Sequence, residues 1–407
     1  MSGPIQVAPT PAPSALASAP PLPVPPPPPS PSTSGSMSSS MSPSSVGRVR
    51  AFLQRRPVLC LLLLTPGIVE YLTGSSSLSL LILLPPVFFA FLGLNLALYG
   101  PGVLLIREAM VRWKKGWASV LLMGAAYAIL EEGIALNTLF DPYAGPVGAL
   151  GFYGHWAGVN WVWTAGLLIV HALWSIALPI LLLGLALPET RGKSLLTPRG
   201  IRVALAVLAA DVLLLLLLVG GLYHFYAGPV LLAGSFLAIG GLVYAAYRAP
   251  ADLLSAASPR PRASPLRFAV VGAAFFPIWL LAEDLPMAFH APPYAAVLSV
   301  IAVGGLWLVW ILKNIGREDR EPQLVALGAG LVAPFLPFGI IVQLHTGIGL
   351  LAVVGGDLAA VLFFHHLWRK YRPRGYASGT GPSPRPSPSP GPTGMLGVQT
   401  PGTRPGG

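Results

Sequence analysis

The stretch GIRVALAVLAADVLLLLLLVG, residues 200–220, decides the fold class of this chain. After Arg202 it contains one ionisable residue, Asp211, among apolar and small side chains. An α-helix rises 1.5 Å per residue, so about 20 apolar residues cross roughly 30 Å of hydrocarbon. This stretch therefore predicts a transmembrane α-helix.

Nine further apolar runs flank this stretch, and together they predict an all-α, polytopic integral membrane protein with about ten transmembrane helices. The first run is short and contains Pro66, Gly67 and Glu70, so it could be broken or re-entrant. Pro179 is expected to kink the fourth run or to end it early. The ten runs are 57–73, 79–106, 117–139, 157–187, 200–220, 228–247, 266–286, 294–313, 323–343 and 347–368.

The composition supports the same class. Of the 407 residues, 54% are hydrophobic and only 10% are charged, whereas soluble domains carry about 25% charged residues. This shortage excludes an ordinary soluble enzyme. The net charge of +11 sits in short clusters between apolar runs, which indicates membrane topology rather than nucleic-acid binding. The predicted partner is therefore the lipid bilayer, and no nucleic acid.

The chain divides into three parts by composition. Residues 1–49 are rich in Pro and Ser, and residues 372–407 are rich in Pro, Gly and Ser. Such segments bury too little apolar surface to offset the entropy of ordering, so both are predicted to be disordered tails. Residues 50–371 are predicted to form the helical transmembrane domain.

The basic residues predict the orientation. All 25 Lys and Arg lie in the terminal segments or in and beside every second connection between runs, and the other five connections have none. Basic residues accumulate on the cytoplasmic side of membrane proteins. The pattern predicts an even number of spans, both termini in the cytoplasm and a location in the plasma membrane.

Several acids lie within the apolar runs without a Lys or Arg at the same depth. An ionised carboxylate at mid-membrane costs roughly 2.5–3.5 kcal/mol on insertion scales. Each acid must therefore be protonated, hydrogen-bonded, bound to a cation or open to a wet cavity. The intramembrane acids, with the one histidine at mid-span, are Glu70, Glu131, Glu132, Asp211, Glu283, Asp284, Asp357 and His171.

The pair Glu131–Glu132, in AYAILEEGIALNTLF (126–140), is the strongest functional signal. Adjacent positions on an α-helix diverge by about 100°, so we expect one carboxylate to face a site and a neighbouring helix to hold the other. His171, in LLIVHALWS (167–175), falls near the same depth if the two runs are neighbours. A histidine beside a buried carboxylate can act as general base, proton relay or ligand. A structural role in hydrogen bonding is the alternative for all three residues.

Two other acids are candidates for a proton or cation path. Asp211 and Asp357 each lie in the middle of a run, and intramembrane acids of this kind mark relays in pumps and transporters. The outer histidines match no compact metal motif, so no metal site is predicted, and the cofactor is left open. The single Cys60 is expected to pack as a small apolar residue.

The double glutamate followed by a histidine on a later run resembles the CAAX-endopeptidase and bacteriocin-processing (CPBP) family of intramembrane glutamate proteases. Glu131 and Glu132 match the family's first motif, whose arginine position is Leu136 here, and His171 matches the histidine of the second, whose phenylalanine position is Leu167. No residue matches the third motif, and the likeness covers about 45 residues. The resemblance implies a glutamate-activated water that cleaves a peptide within the membrane.

Three functions stay open at this point. The carboxylates suggest proton- or cation-coupled transport, an intramembrane glutamate-dependent hydrolase is the first alternative, and a membrane scaffold without small-molecule chemistry is the second. Convergence of His171 with Glu131 or Glu132 within about 4 Å favours hydrolysis. A continuous polar path through acids at different depths favours transport. The substrate, whether small molecule or peptide, and the oligomeric state are left open.

Overall fold

The structure, a computed structural model, describes residues 56–372 and is predominantly helical over this range. The predicted disordered tails lie outside the described residues, apart from Arg372. The α-helices are α1 Pro57–Pro66, α2 Leu80–Leu83, α3 Pro85–Arg112, α4 Trp117–Ala128, α5 Trp161–Val170, α6 Leu178–Ala186, α7 Pro198–Tyr223, α8 Pro229–Arg248, α9 Pro265–Ala288, α10 Pro293–Asn314, α11 Glu321–Val332, α12 Phe335–Val342 and α13 Leu350–Tyr371.

Shorter elements complete the described chain. The antiparallel strands β1 and β2 form a small hairpin between α4 and α5. Three segments are π-helical and three are 3₁₀-helical. The bounds are β1 His155–Trp156, β2 Val159–Asn160, π1 Gly67–Tyr71, π2 Ile129–Ala135 and π3 His171–Ala177, with 3₁₀ turns at Gly145–Gly151, Pro188–Thr190 and Leu344–Gly349.

Nine helical units of the described chain are long and apolar enough to cross a membrane, which confirms an all-α, multi-span class. The first run differs, because its helix Pro57–Tyr71 covers 15 residues, or roughly 22 Å at the helical rise. The connection that follows it lies deep beside α3, where Asn95 Nδ2 donates to Ser76 Oγ at 3.0 Å. The first run is thus shorter than the ~30 Å of a bilayer core.

Proline begins most of the long helices. The backbone N–H of the first helical residue has no acceptor within the helix, so proline loses no hydrogen bond there. The proline ring also fixes φ near the helical value. At α7 the flanking Thr197 adds a side-chain cap, since its Oγ1 accepts from Gly200 N at 3.1 Å. The prolines at helix starts are Pro57, Pro85, Pro198, Pro229, Pro265 and Pro293.

Pro179 does not end the fourth run, because the helix continues to Ala186. Proline has no N–H to bond the carbonyl of Ser175, and the chain widens into π3 just before it. The expected early end at Pro179 is therefore wrong, and a change of helix type takes its place. Pro66 also lies next to a π-helical segment, but it precedes π1, whereas Pro179 follows π3.

Connections that carry Lys and Arg meet at one end of the bundle. There Lys115 Nζ donates to Ala249 O at 3.0 Å, Arg191 Nη1 bonds Glu321 Oε1 at 3.0 Å, and Lys370 Nζ donates to Leu185 O at 3.0 Å.

The remaining connections join at the other end of the bundle. There Ser77 Oγ donates to Gln343 Oε1 at 2.6 Å, Ala227 N donates to Asn137 Oδ1 at 3.1 Å, and Tyr153 Oη donates to Ala291 O at 2.9 Å. The identity of the membrane and a cytoplasmic basic end stay predictions.

The helices that carry Glu131, Glu132 and His171 are the most buried of the nine. Burial reaches 78% for the apolar stretch of Trp117–Ala135 and 72% for that of Trp161–Ala186, against 11% for Leu344–Tyr371. One face of π3 packs into the core around α3 and α4, and Trp174 packs into a second core around α9 and α11. Glu131, Glu132 and His171 thus lie on central elements, whereas Asp357 lies on one of the least buried helices.

Close packing of α4 against π3 depends on Gly124. A Cβ at this position would lie 2.6 Å from Ala172 Cα, a backbone atom that cannot move independently. We expect Gly124→Ala to lower the free energy of unfolding by about 1–3 kcal/mol through overpacking. Thermal denaturation in detergent would measure it. Gly234→Ala on α8 is the control, since a Cβ there meets nothing within 4 Å. Equal melting temperatures of the two variants would contradict the close contact.

Candidate functional site

All three π-helical segments of the described chain carry ionisable side chains of the candidate site. π1 holds Glu70, π2 holds Glu131 and Glu132, and π3 begins at His171. π1 contacts π3 directly, and π3 packs along α4, which continues into π2. Single π turns are rare and concentrate at functional sites, since a widened turn redirects side chains.

The imidazole of His171 lies at the centre of this group, with 4% of the residue exposed. Its Nε2 is 3.2 Å from Glu132 Oε1, and its Nδ1 is 3.0 Å from Ser175 Oγ, one turn further along π3. Glu132 is held on its other side by the Thr138 hydroxyl, which donates to Oε2. The ring is therefore fixed from both nitrogens.

Glu131 approaches the same ring from the opposite side. Its Oε2 lies 3.3 Å from His171 Nδ1, and only 1% of the residue is exposed. Although Nδ1 is within ion-pair distance, this oxygen makes no hydrogen bond of normal geometry within residues 56–372. A buried carboxylate oxygen without a donor is costly, and it is free to accept a proton from a small polar molecule.

The two glutamates converge, which corrects the expectation that only one of them faces the site. Two features allow this. The segment is π-helical, so its side chains do not follow the 100° steps of an α-helix. The two nitrogens of one imidazole also point in different directions, and each meets a different carboxylate. His171 bridges the pair.

A second layer of hydroxyl groups surrounds the pair, and no functional role was predicted for these residues. Tyr99 Oη donates to Glu70 Oε1 at 2.6 Å and also faces Glu131. Ser76 Oγ donates to the other oxygen of Glu70 at 2.7 Å. The Tyr127 hydroxyl is near Glu131 but makes no hydrogen bond of normal geometry with the described residues.

The other predicted acids lie on different elements. Asp211 belongs to α7, which contacts π2, and its Oδ2 is buried without a described partner. Asp357 belongs to α13, which packs on α11 and α12, and neither of its oxygens has one. Glu283, on α9, packs directly against Gly166 of α5: a Cβ at Gly166 would lie only 2.5 Å from Glu283 Oε1. Asp211 therefore borders the Glu131–Glu132–His171 cluster, and Asp357 does not join it.

The same three residues are a possible metal-binding group. Ligand atoms of Glu131, Glu132 and His171 lie within 4.8 Å of one another. Three protein ligands and an open position are the pattern of a catalytic zinc site. However, one ring nitrogen binds one metal, and the carboxylates here meet different nitrogens of His171. A metal would therefore require one glutamate to leave its present contact.

Comparison with known proteins adds no assignment: no protein-family model, no curated protein and no solved structure matches this chain significantly. The resemblance of Glu131, Glu132 and His171 to the CPBP motifs stays a prediction.

Proposed function

We propose that this protein is an intramembrane hydrolase in which Glu131 activates a water molecule beside His171. The observation that carries the proposal is the buried Glu131 Oε2, which lies 3.3 Å from His171 Nδ1 and accepts no hydrogen bond of normal geometry from the described residues. A general base must have a free acceptor within reach of the proton that it removes. Glu132 is occupied by the Thr138 hydroxyl and His171 Nε2, so it suits an orienting role.

The residues have complementary roles in this reaction. Glu131 takes one proton from water, and the water oxygen forms a bond to the substrate carbonyl carbon. The unpaired hydroxyl of Tyr127 donates to the oxyanion that develops there. The bond to the leaving group then breaks, and the proton passes through His171 to the leaving nitrogen or oxygen. The products are an acid and an amine or alcohol, so the water is fully accounted for.

The burial of the cluster away from bulk water supports a substrate that belongs to the bilayer. The cluster lies between the two most buried apolar helices of the described chain. Exclusion of bulk water strengthens the electrostatic interactions of the site and limits side reactions. The best-supported substrate class is a peptide amide or an ester within or close to a membrane segment, which is also what the resemblance to glutamate proteases implies.

The test uses the full chain reconstituted in vesicles with transmembrane peptides, prenylated peptides and acyl esters as probes in H₂¹⁸O. Wild type is expected to release an acid with one ¹⁸O atom per cleaved bond, detected by mass spectrometry. A Glu131→Gln/Glu132→Gln variant is expected to release none above background. Equal product from both proteins, or no product from wild type with any probe, would overturn the proposal. Metal analysis of the active sample tells whether a cation occupies the three residues.

Proton-coupled transport is the second candidate, and Asp211 is the observation that favours it. Its buried Oδ2 has no described partner and lies on a helix in contact with π2. An acid of this kind can pass protons to a neighbouring group. Vesicles containing a pH-sensitive dye would show proton flux that Asp211→Asn abolishes if this candidate is correct. Flux equal to that of protein-free vesicles would eliminate it.

A further inference from the structure

A half-open apolar cleft lies at the basic end of the bundle, away from the glutamate cluster. Its volume is about 330 Å³, which falls within the ~300–1,000 Å³ of ligand sites. Leu173 and Ala177 of π3 form part of its wall, and Leu308 of α10 faces them. Trp117 and Trp307 also line the cleft, and Trp117 lies at the basic end of its helix, where aromatic residues collect at headgroup depth.

One end of this cleft is strongly basic. Arg107, Arg191 and Arg320 line it, and Glu321 is the one acid among the lining residues. Arg191 pairs with Glu321 at 3.0 Å, and Arg107 pairs with Glu108 at 3.4 Å and donates to Thr190 O at 2.6 Å. Arg320 forms no salt bridge with a described acid and meets Glu321 only at longer range. The mouth therefore has an excess of positive charge.

The apolar part of the cleft faces lipid. Only 17% of the apolar stretch of α10, which forms one wall, is buried against the described protein. Water in such a cleft would find few polar partners, whereas an acyl chain would keep the apolar contacts of the bilayer. The combination of an apolar wall with an arginine-rich mouth matches an amphiphile with an anionic headgroup.

We propose that this cleft binds one glycerophospholipid with an anionic phosphate headgroup from the leaflet on the basic side. The headgroup contacts Arg320 and Arg191, and an acyl chain extends along α10 towards Leu173. Each basic side chain near an anionic lipid contributes about 1 kcal/mol, which is roughly fivefold in affinity. The proposal does not depend on the hydrolase reaction.

The test compares phosphatidylglycerol with phosphatidylcholine, bound to the purified full chain in detergent and quantified by native mass spectrometry. Wild type is expected to bind phosphatidylglycerol at least tenfold more tightly. Arg320→Gln is expected to weaken this binding about fivefold, and Arg191→Gln/Arg320→Gln about 25-fold. Arg199→Gln, an exposed arginine at the same end but outside the cleft, is the matched control and should bind as wild type.

Two further arms identify the source of the affinity. Leu308→Trp, which fills the cleft, is expected to remove phosphatidylglycerol binding while the melting temperature shows whether the variant folds. Inorganic phosphate is expected not to displace the lipid. Equal affinity for the two lipids, an equal loss in Arg199→Gln, or displacement by free phosphate would each overturn the proposal. If Leu308→Trp does not fold, the phosphatidylglycerol affinities of the arginine variants still test the proposal.

Discussion

Replacing His171 with leucine is expected to lower the free energy of unfolding by about 3–5 kcal/mol, the usual cost of removing one partner of a buried ionic contact. The imidazole contacts Glu131 Oε2 at 3.3 Å and Glu132 Oε1 at 3.2 Å, and both residues are buried. Leucine fills similar space but loses the hydrogen bond to Glu132 and the close polar contact with Glu131. Chemical denaturation in detergent micelles would measure the loss.

A double-mutant design separates this effect from a loss of packing. In a Glu131→Gln/Glu132→Gln background, the loss in free energy of unfolding caused by His171→Leu is expected to be smaller by roughly 0.5–3 kcal/mol, because the carboxylates that contact the imidazole are gone.

His155→Leu in the exposed β1–β2 hairpin is the matched control. Its Nδ1 contacts Asn160 Oδ1 at 2.6 Å, and its loss should cost only about 0.5–1.5 kcal/mol. Unchanged stability of His171→Leu would show that His171 does not hold the two glutamates.

Hydropathy and the positions of Lys and Arg predicted the all-α class, and nine of the ten runs became helices long enough to span a membrane. Hydropathy and charge position depend only on the local sequence, so they can be assessed without knowing which helices pack together. The first run was less predictable, because its length depends on where π1 ends beside α3. A short helix and a full span have the same local composition.

The cluster itself was only partly predictable. Glu131, Glu132 and His171 were identifiable because ionisable residues are rare in apolar runs. Their convergence was not, since α-helical periodicity separates adjacent side chains, and π2 breaks that periodicity. Proline gives a partial signal for such segments, because Pro66 and Pro179 each adjoin one.

The surrounding hydroxyl groups were missed for a different reason. Ser175 and Tyr99 are ordinary in membrane helices, and only the packing of π3 and α3 shows that they face Glu131, Glu70 and His171. Asp357 illustrates the converse case. It has the same mid-span signal as Asp211, but α13 packs elsewhere, so depth alone did not place it in the cluster.

The cluster contains two possible nucleophiles. Water beside Glu131 is the proposed one. Ser175 Oγ is the other, since it lies 3.0 Å from His171 Nδ1, and Nε2 lies 3.2 Å from Glu132. That order of hydroxyl, imidazole and carboxylate is also the order of a serine hydrolase triad. Single substitutions distinguish the two mechanisms because they remove different groups.

We expect Glu131→Gln to lower the hydrolysis rate by about 10²–10⁴-fold, the range for loss of a general base. Ser175→Ala is expected to cost at most about tenfold, because it removes a hydrogen bond to His171 and no reacting atom. Rates with the best of the vesicle probes would be compared at saturating substrate. Melting temperatures near that of wild type would show that Glu131→Gln, which keeps the shape of the side chain, acts on chemistry and not on folding.

A trapping experiment decides between the mechanisms independently of these rates. Activated water adds directly to the substrate carbonyl and leaves no covalent intermediate on the protein, whereas a serine nucleophile forms an acyl-enzyme. Rapid quenching with an acyl-ester probe, followed by intact-protein mass spectrometry, is expected to show only the unmodified mass. An acyl adduct on Ser175, with activity lost in Ser175→Ala and retained in Glu131→Gln, would assign the reaction to the serine and leave Glu131 as a buried structural acid.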